Sequence, residues 1–152
     1  MMRWLLMVLL MLFTLVVTAS RPAAQRAEEE AVLKARETAL LERNVDAVLQ
    51  QFADDALVVS SSGRLLRGHD QIRSWVQDQV ERSQREEAGP HYQQGTKLSW
   101  PGKLYRDDWQ QMGISPLEVT QDAIIREGKI HFFNTSFTPE SAARLQVARQ
   151  KN

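Results

Sequence analysis

The stretch from Asn44 to Trp75, NVDAVLQQFADDALVVSSSGRLLRGHDQIRSW, constrains this chain more than any other. Asn44 offers a side-chain oxygen to the exposed amides of a short helix, Asp46 sits in its first turn, and Val48, Leu49 and Phe52 form an apolar stripe. Asp54 and Asp55 are expected to stop that helix. ALVVS then reads as a strand, Ser61, Ser62 and Gly63 as a turn, and Arg64 to Arg67 as the returning partner. Gly68 and Asp70 open another helix, where Ile72, Trp75, Val76 and Val80 recur at the helical period of about 3.6 residues. Charge and Gly89-Pro90 end it.

The flanks follow the same logic. From Arg26 the segment AEEEAVLKARETALLER is helical, with acidic residues in the first turn and Val32, Ala35, Ala39 and Leu40 on one face. GTKLSW and KLYR read as strand pieces interrupted by Pro101-Gly102, and DDWQQMG as a helical turn closed by Gly113. LEVTQDAII and KIHFFNTSF are strands joined by Glu127-Gly128, a two-residue hairpin loop. With Arg126 opposite Lys129, counting puts Ile124, Asp122, Thr120 and Glu118 on one face with His131, Phe133, Thr135 and Phe137. Ile125, Ala123 and Val119 share the other face with Ile130 and Phe132. Apolar residues on both faces imply that both are covered, one by helices and part of the other by a partner such as an identical subunit. Thr138-Pro139-Glu140 starts a last helix through Ala142 and Leu145, with proline in its first turn.

Composition removes several function classes. At 152 residues with 43% hydrophobic and 25% charged, the chain has ordinary globular composition and room for one domain. Basic and acidic residues both number 19 and are mixed along the chain, so there is no electrostatic footprint for nucleic acid. The absence of cysteine excludes disulfides, thiolate nucleophiles and thiolate metal sites. At the start, Arg3 precedes the apolar run WLLMVLLMLFTLVV, followed by Ala19, Ser20, Arg21 and Pro22. The run falls short of the roughly 20 residues a spanning helix needs and reads as a secretory signal peptide over residues 1–19, cleaved after Ala19. Residues 20–26 are a tether and 27–150 the domain, exported to the periplasm or secreted. The alternative is an uncleaved N-terminal membrane anchor.

Taken together, the first helix, NVDAVLQQFADDALVV, GRLLRGHDQIRSW and IIREGKIHFF resemble the SnoaL-like branch of the nuclear transport factor 2-like (NTF2-like) superfamily, over about Ala31 to Leu145. The resemblance implies an α+β cone, a curved, mostly antiparallel sheet packed against N-terminal helices, with a pocket between them and often a homodimer through the sheet. Such domains include polyketide cyclases, ketosteroid isomerases and epoxide hydrolases alongside many non-enzymes. The aspartate base of isomerase-like members falls on about Ser60, which cannot act as a carboxylate base, and their oxyanion-stabilising tyrosine on about Arg36. That isomerase activity is therefore rejected. Between Gln84 and Gly95 only HYQQ offers a strand, so one pocket wall is expected to be short or open.

Asp54 and Asp55 could divide acid and base roles, but neighbouring carboxylates at a helix-to-strand junction point apart and serve the turn. His131 with Asp122 as its orienting partner is the candidate catalytic pair, with Tyr92 or Tyr105 as hydrogen-bond donor; the plainer reading is a surface or interface histidine. His69, His91 and His131 lack the spacing of metal motifs, and no phosphate loop or GxSxG elbow occurs, so neither metal nor cofactor is expected. Trp75, Trp100, Tyr105, Trp109 and Phe133 are candidates to line a ligand pocket, and Arg64 and Arg67 read as a solvated hairpin edge. The expected function is binding of a small apolar or amphipathic ligand, or service as a dimeric module. An enzyme using His131 and Asp122, and a purely structural interaction domain, are the alternatives.

Overall fold

In the computed structural model, which describes residues 22–151, five helices and seven strands alternate along the chain. The signal segment lies outside the described residues, and among those described no helix is long and apolar enough to cross a membrane. Helix α1 (Ala23–Leu41) begins inside the stretch read as a tether, because Ala23, Ala24 and Gln25 are good helix formers. Gln25 also bonds Glu29 and Arg26 pairs with Glu30, each one turn on. Its buried face is Val32, Leu33, Arg36, Ala39 and Leu40, while Ala35 is exposed. Helix α2 (Val45–Leu49) has the expected cap, with Asn44 Oδ1 accepting from Ala47 N at 3.0 Å.

Strand β1 (Phe52–Val59) starts earlier than expected and contains Asp54 and Asp55, both exposed. It pairs with β2 (Leu65–Arg67), which leads straight into α3 (Gly68–Glu81), where Gly68 adopts φ +73°. The stretch expected to hold only HYQQ forms two edge strands, β3 (Arg85–Ala88) and β4 (Tyr92–Gln94), both on β5 (Lys97–Tyr105). Pro101-Gly102 does not break β5. Pro101 stands where the edge partner changes from β4 to β3, and its carbonyl accepts from Gly89 N at 2.7 Å. Helix α4 (Asp107–Gln111), the hairpin β6 (Leu117–Arg126) and β7 (Lys129–Phe137), and α5 (Pro139–Lys151) complete the chain. The sheet order is β2-β1-β7-β6-β5-β3, antiparallel throughout except for β1 with β7. It is the curved, unclosed, mostly antiparallel sheet of an α+β fold.

The hairpin turn is as expected, with Glu127 and Gly128 both at positive φ, as a type I′ turn requires. The faces are not. Arg126 opposes Lys129 and Ile125 opposes Ile130, but Ile124 then opposes Phe132, so His131 is an extra residue in the ladder. Beyond this bulge the register is moved by one and the face assignment inverts. Phe133, Thr135 and Phe137 join Ala123, Gln121 and Val119 on the helix side. Phe132, Asn134 and Ser136 join Ile124, Asp122 and Thr120 on the other. The outer face is thus largely polar apart from a row of half-buried Leu57, Phe132 and Ile124.

Both groups of helices cover the same face of the sheet. Helices α1 to α3 lie over one half, on a core in which Phe133 meets Phe52, Trp75 and Trp100 at ring separations of 6.2, 6.1 and 6.0 Å. Helices α4 and α5 lie over the other, where Trp109, Leu145 and Ala148 pack on Leu104, Leu117 and Val119. Within the first half, Arg36 and Glu86 form an ion pair at 2.9 Å with side chains only 4% and 2% exposed, the guanidinium 4.3 Å from the Phe133 ring centre. Removing one member of such a pair strands a buried charge. Arg36→Met is expected to lower unfolding free energy by about 3–5 kcal/mol, and adding Glu86→Leu to recover most of it. Denaturant melts of both variants test this: a double variant no more stable than the single one would show the two charges uncoupled.

Candidate functional site

A cleft of about 780 Å³ opens between the two helical covers. Its floor is the helix side of the sheet, with Thr135 and Phe137 from β7, Leu104 from β5 and Ser60 at the end of β1. One wall is α3, through Trp75, Asp78, Gln79 and Arg82. The other is α5, through Leu145, Gln146 and Arg149, with Trp109 and Arg106 closing the end. The α3 residues share a face because they lie one turn apart, as do Leu145, Gln146 and Arg149 on α5. Thr135 and Phe137 face the cleft only because of the bulge at His131.

The polar groups of the cleft divide into two sets. Arg82 Nε lies 2.6 Å from Asp78 and its Nη1 3.0 Å from Asp108, while Arg106 grips Asp108 through Nε and Nη2 at 3.0 and 2.8 Å. Partial burial opposes ionisation of Asp108, but the Arg106 bonds, the Trp109 amide and Arg82 outweigh it and hold the carboxyl below its ordinary pKa. The Asp78 hydrogen bond raises that of Arg82 further. Arg106 also stacks over Trp109 at 4.5 Å, and Trp109 meets Phe137 edge-on at 5.7 Å, so the side chains at one end of the cleft are all engaged with one another. Arg64 and Arg149, by contrast, have no ion pair among the described residues.

Ser60 is buried and lines the cleft, but its hydroxyl is engaged in the hairpin turn, 3.0 Å from Ser62 Oγ and accepting from Arg64 N at 3.2 Å. Arg36, on which the resemblance places an isomerase's tyrosine, is closed off in its pair with Glu86. His131 and Asp122 are not brought together. His131 Nδ1 lies 3.9 Å from Asp55, whereas Asp122 accepts from Ser99 Oγ at 2.6 Å and Asn134 Nδ2 at 3.1 Å on the outer face. The bulge separates them, since diagonal pairing assumed an unbroken ladder.

Of the five aromatic candidates, Trp75 and Trp109 line the cleft. Trp100 and Phe133 are fully buried beneath α1 to α3. Tyr105 turns away from the cleft and donates to Glu87 at 2.9 Å, a bond that raises its phenol pKa. Tyr92 is exposed at the sheet edge. The histidines stay apart: His69 Nε2 meets the Phe52 carbonyl at 3.1 Å and His91 packs edge-on against Trp100. Sequence reasoning missed Phe137, Gln79, Arg106 and Arg149, and read Arg64 only as an edge. Phe137 was legible as a strand residue, but its direction depended on the bulge; the others had no local signal, because α3, α4 and α5 meet only in three dimensions.

No protein-family model and no curated protein matches the chain. Solved structures do. An NTF2-like protein from Cytophaga hutchinsonii superposes with a TM-score of 0.60 at 10% identity, over 75% of this chain and 93% of its own. A protein with a ketosteroid isomerase-like fold from Catenulispora acidiphila, in complex with trimethylamine, gives 0.58 at 17% identity over 72% and 87%. TerC, co-crystallised with polyporic acid, gives 0.64 at 14% identity over 80% and 98%. At these identities the likeness is one of fold: the curved sheet with its helical covers is the NTF2-like fold, the fold that the sequence motifs imply.

Proposed function

We propose that this chain is an exported binding domain that holds a small amphipathic molecule in the cleft between α3 and α5. The observation that carries the reading is the lining itself. Trp75, Trp109, Phe137 and Leu145 offer apolar surface, while serine hydroxyls, glutamine amides and guanidinium groups make up the larger, polar share of the lining, a mixture that suits an amphipathic rather than a wholly apolar molecule. Binding rather than catalysis is favoured because Ser60 and Arg36 are committed to structural contacts and His131 has no Asp122 beside it. Fold neighbours crystallised with an acid and with an amine show that the fold alone does not choose the ligand. Export rests on the apolar run in residues 1–19.

The reading is tested by thermal melts against a panel of aromatic and fatty amphiphiles. A compound present at about 100 times its Kd stabilises the native state by about 2.7 kcal/mol, a Tm rise of several degrees. Gln146→Trp, which fills the cleft from an exposed position on α5, should abolish the rise, whereas His131→Gln and Asp122→Asn should leave it intact. A panel without effect, or a rise indifferent to Gln146→Trp, rejects the cleft as the binding site.

Pairing of two copies through the outer sheet face belongs to the same proposal, favoured by the in-register row Leu57, Phe132 and Ile124. Sedimentation of the purified protein should report a dimer, and Phe132→Glu, which puts a charge in the middle of the row, a monomer with unchanged far-UV circular dichroism. A wild-type monomer at high concentration would dispose of this pairing.

A further inference from the structure

The geometry points to an anionic amphiphile, a carboxylate or sulfonate carried on an aromatic or aliphatic body, as the class of molecule the cleft selects; this rests on the cleft being a ligand site. Four arginines line it, Arg64, Arg82, Arg106 and Arg149, against two carboxylates, Asp78 and Asp108. The carboxylates are already matched. Asp78 and Asp108 are held by Arg82 and Arg106 in contacts of 2.6 to 3.0 Å, which leaves those two guanidiniums little charge to offer a ligand. Among the described residues Arg64 and Arg149 have no ion pair and no third carboxylate lines the cleft. Their two positive charges are uncompensated there, and they enter from different elements.

Each of the two is anchored at its root. The Arg64 backbone is tied into the hairpin turn, its N–H donating to Ser60 Oγ at 3.2 Å and its carbonyl accepting from Ser60 N at 3.0 Å. Arg149 follows Leu145 by one helical turn on α5, so it stands on the same face of that helix and lines the same wall. A guanidinium presents paired N–H groups that match the two oxygens of a carboxylate or sulfonate and remains charged at any pH of interest. The rings of Trp75, Trp109 and Phe137 line the same cleft and suit a flat or flexible apolar body. Among the described residues a cation would meet two like charges and no unmatched carboxylate, and a neutral molecule would gain from Arg64 or Arg149 only the weaker bond of an uncharged acceptor.

Two fluorescent probes with the same ring system separate charge from apolar binding: anilinonaphthalene sulfonate and the neutral N-phenylnaphthylamine. The sulfonate is expected to bind the purified protein at least about tenfold more tightly, the span of one charge-assisted hydrogen bond. Arg64→Gln with Arg149→Gln should erase that preference while leaving the neutral probe's affinity and the Tm unchanged, and each single substitution should erase part of it. Raising the salt concentration should weaken only the sulfonate. Equal affinity for both probes, or a preference that survives the double substitution, overturns the anion selectivity and leaves the cleft standing as a site. Probe binding unaffected by Gln146→Trp, or no binding of either probe, overturns the cleft and the selectivity together.

Discussion

Phe133 is the point on which sheet and helices converge. Three aromatic rings and the guanidinium of Arg36 surround it, so α1, α3, β1 and β5 all take their position from one side chain. It reaches them only because His131 is an extra residue in β7. A strand alternates its side chains strictly, so without that bulge the ladder begun at the Glu127-Gly128 turn would send Phe133 outward and Phe132 inward. The same inversion delivers Thr135 and Phe137 to the cleft. One irregular residue therefore decides both what fills the core and what lines the site.

The cleft is where it is because the helix side of the sheet is covered in two separate pieces. Under α1 to α3 the space is filled: Trp100, Phe52 and Phe133 occupy it, and the Arg36 and Glu86 pair closes what they leave. A buried ion pair is seldom a gain in stability over apolar packing, but once present it excludes any ligand from that half, since displacing one partner strands the other. Under α4 and α5 a second, smaller core forms on Leu104, Leu117 and Val119. The gap between the two covers remains open, and its rim carries the arginines of the hairpin turn and of α5. Of the two positions that the resemblance gives to an isomerase's chemistry, the cleft takes in Ser60 and leaves Arg36 in the core.

Much of the frame was legible because its signals are local. The Asn44 cap, the Gly68 start of α3, the Gly113 stop and the two-residue turn at Glu127-Gly128 each reflect the conformational preference or hydrogen-bonding reach of a single side chain or backbone unit. Local signals failed where a neighbour overrides them. Pro101 sits within β5 because its edge partners change at that residue, and Arg85 to Ala88 become a strand, despite two adjacent glutamates, because β5 offers an unpaired edge. The partner carboxylate Asp122 and the candidate rings Trp100, Phe133 and Tyr105 were misdirected for one shared reason: residue type names a side chain's chemistry, whereas its direction is set by register and by which neighbour covers it.

By itself the sequence determined the α+β class, the helix caps and turns, the strand order within the hairpins and the absence of thiol chemistry, all consequences of short-range sterics and of composition. Only the tertiary structure decided which face of β7 is inside, that Arg36 belongs to the core, and that Arg64 on a hairpin and Arg149 near the end of the chain share one cleft. These depend on contacts between residues far apart in sequence. Their free energies arise from burial and pairing across elements, which no local pattern of side chains encodes.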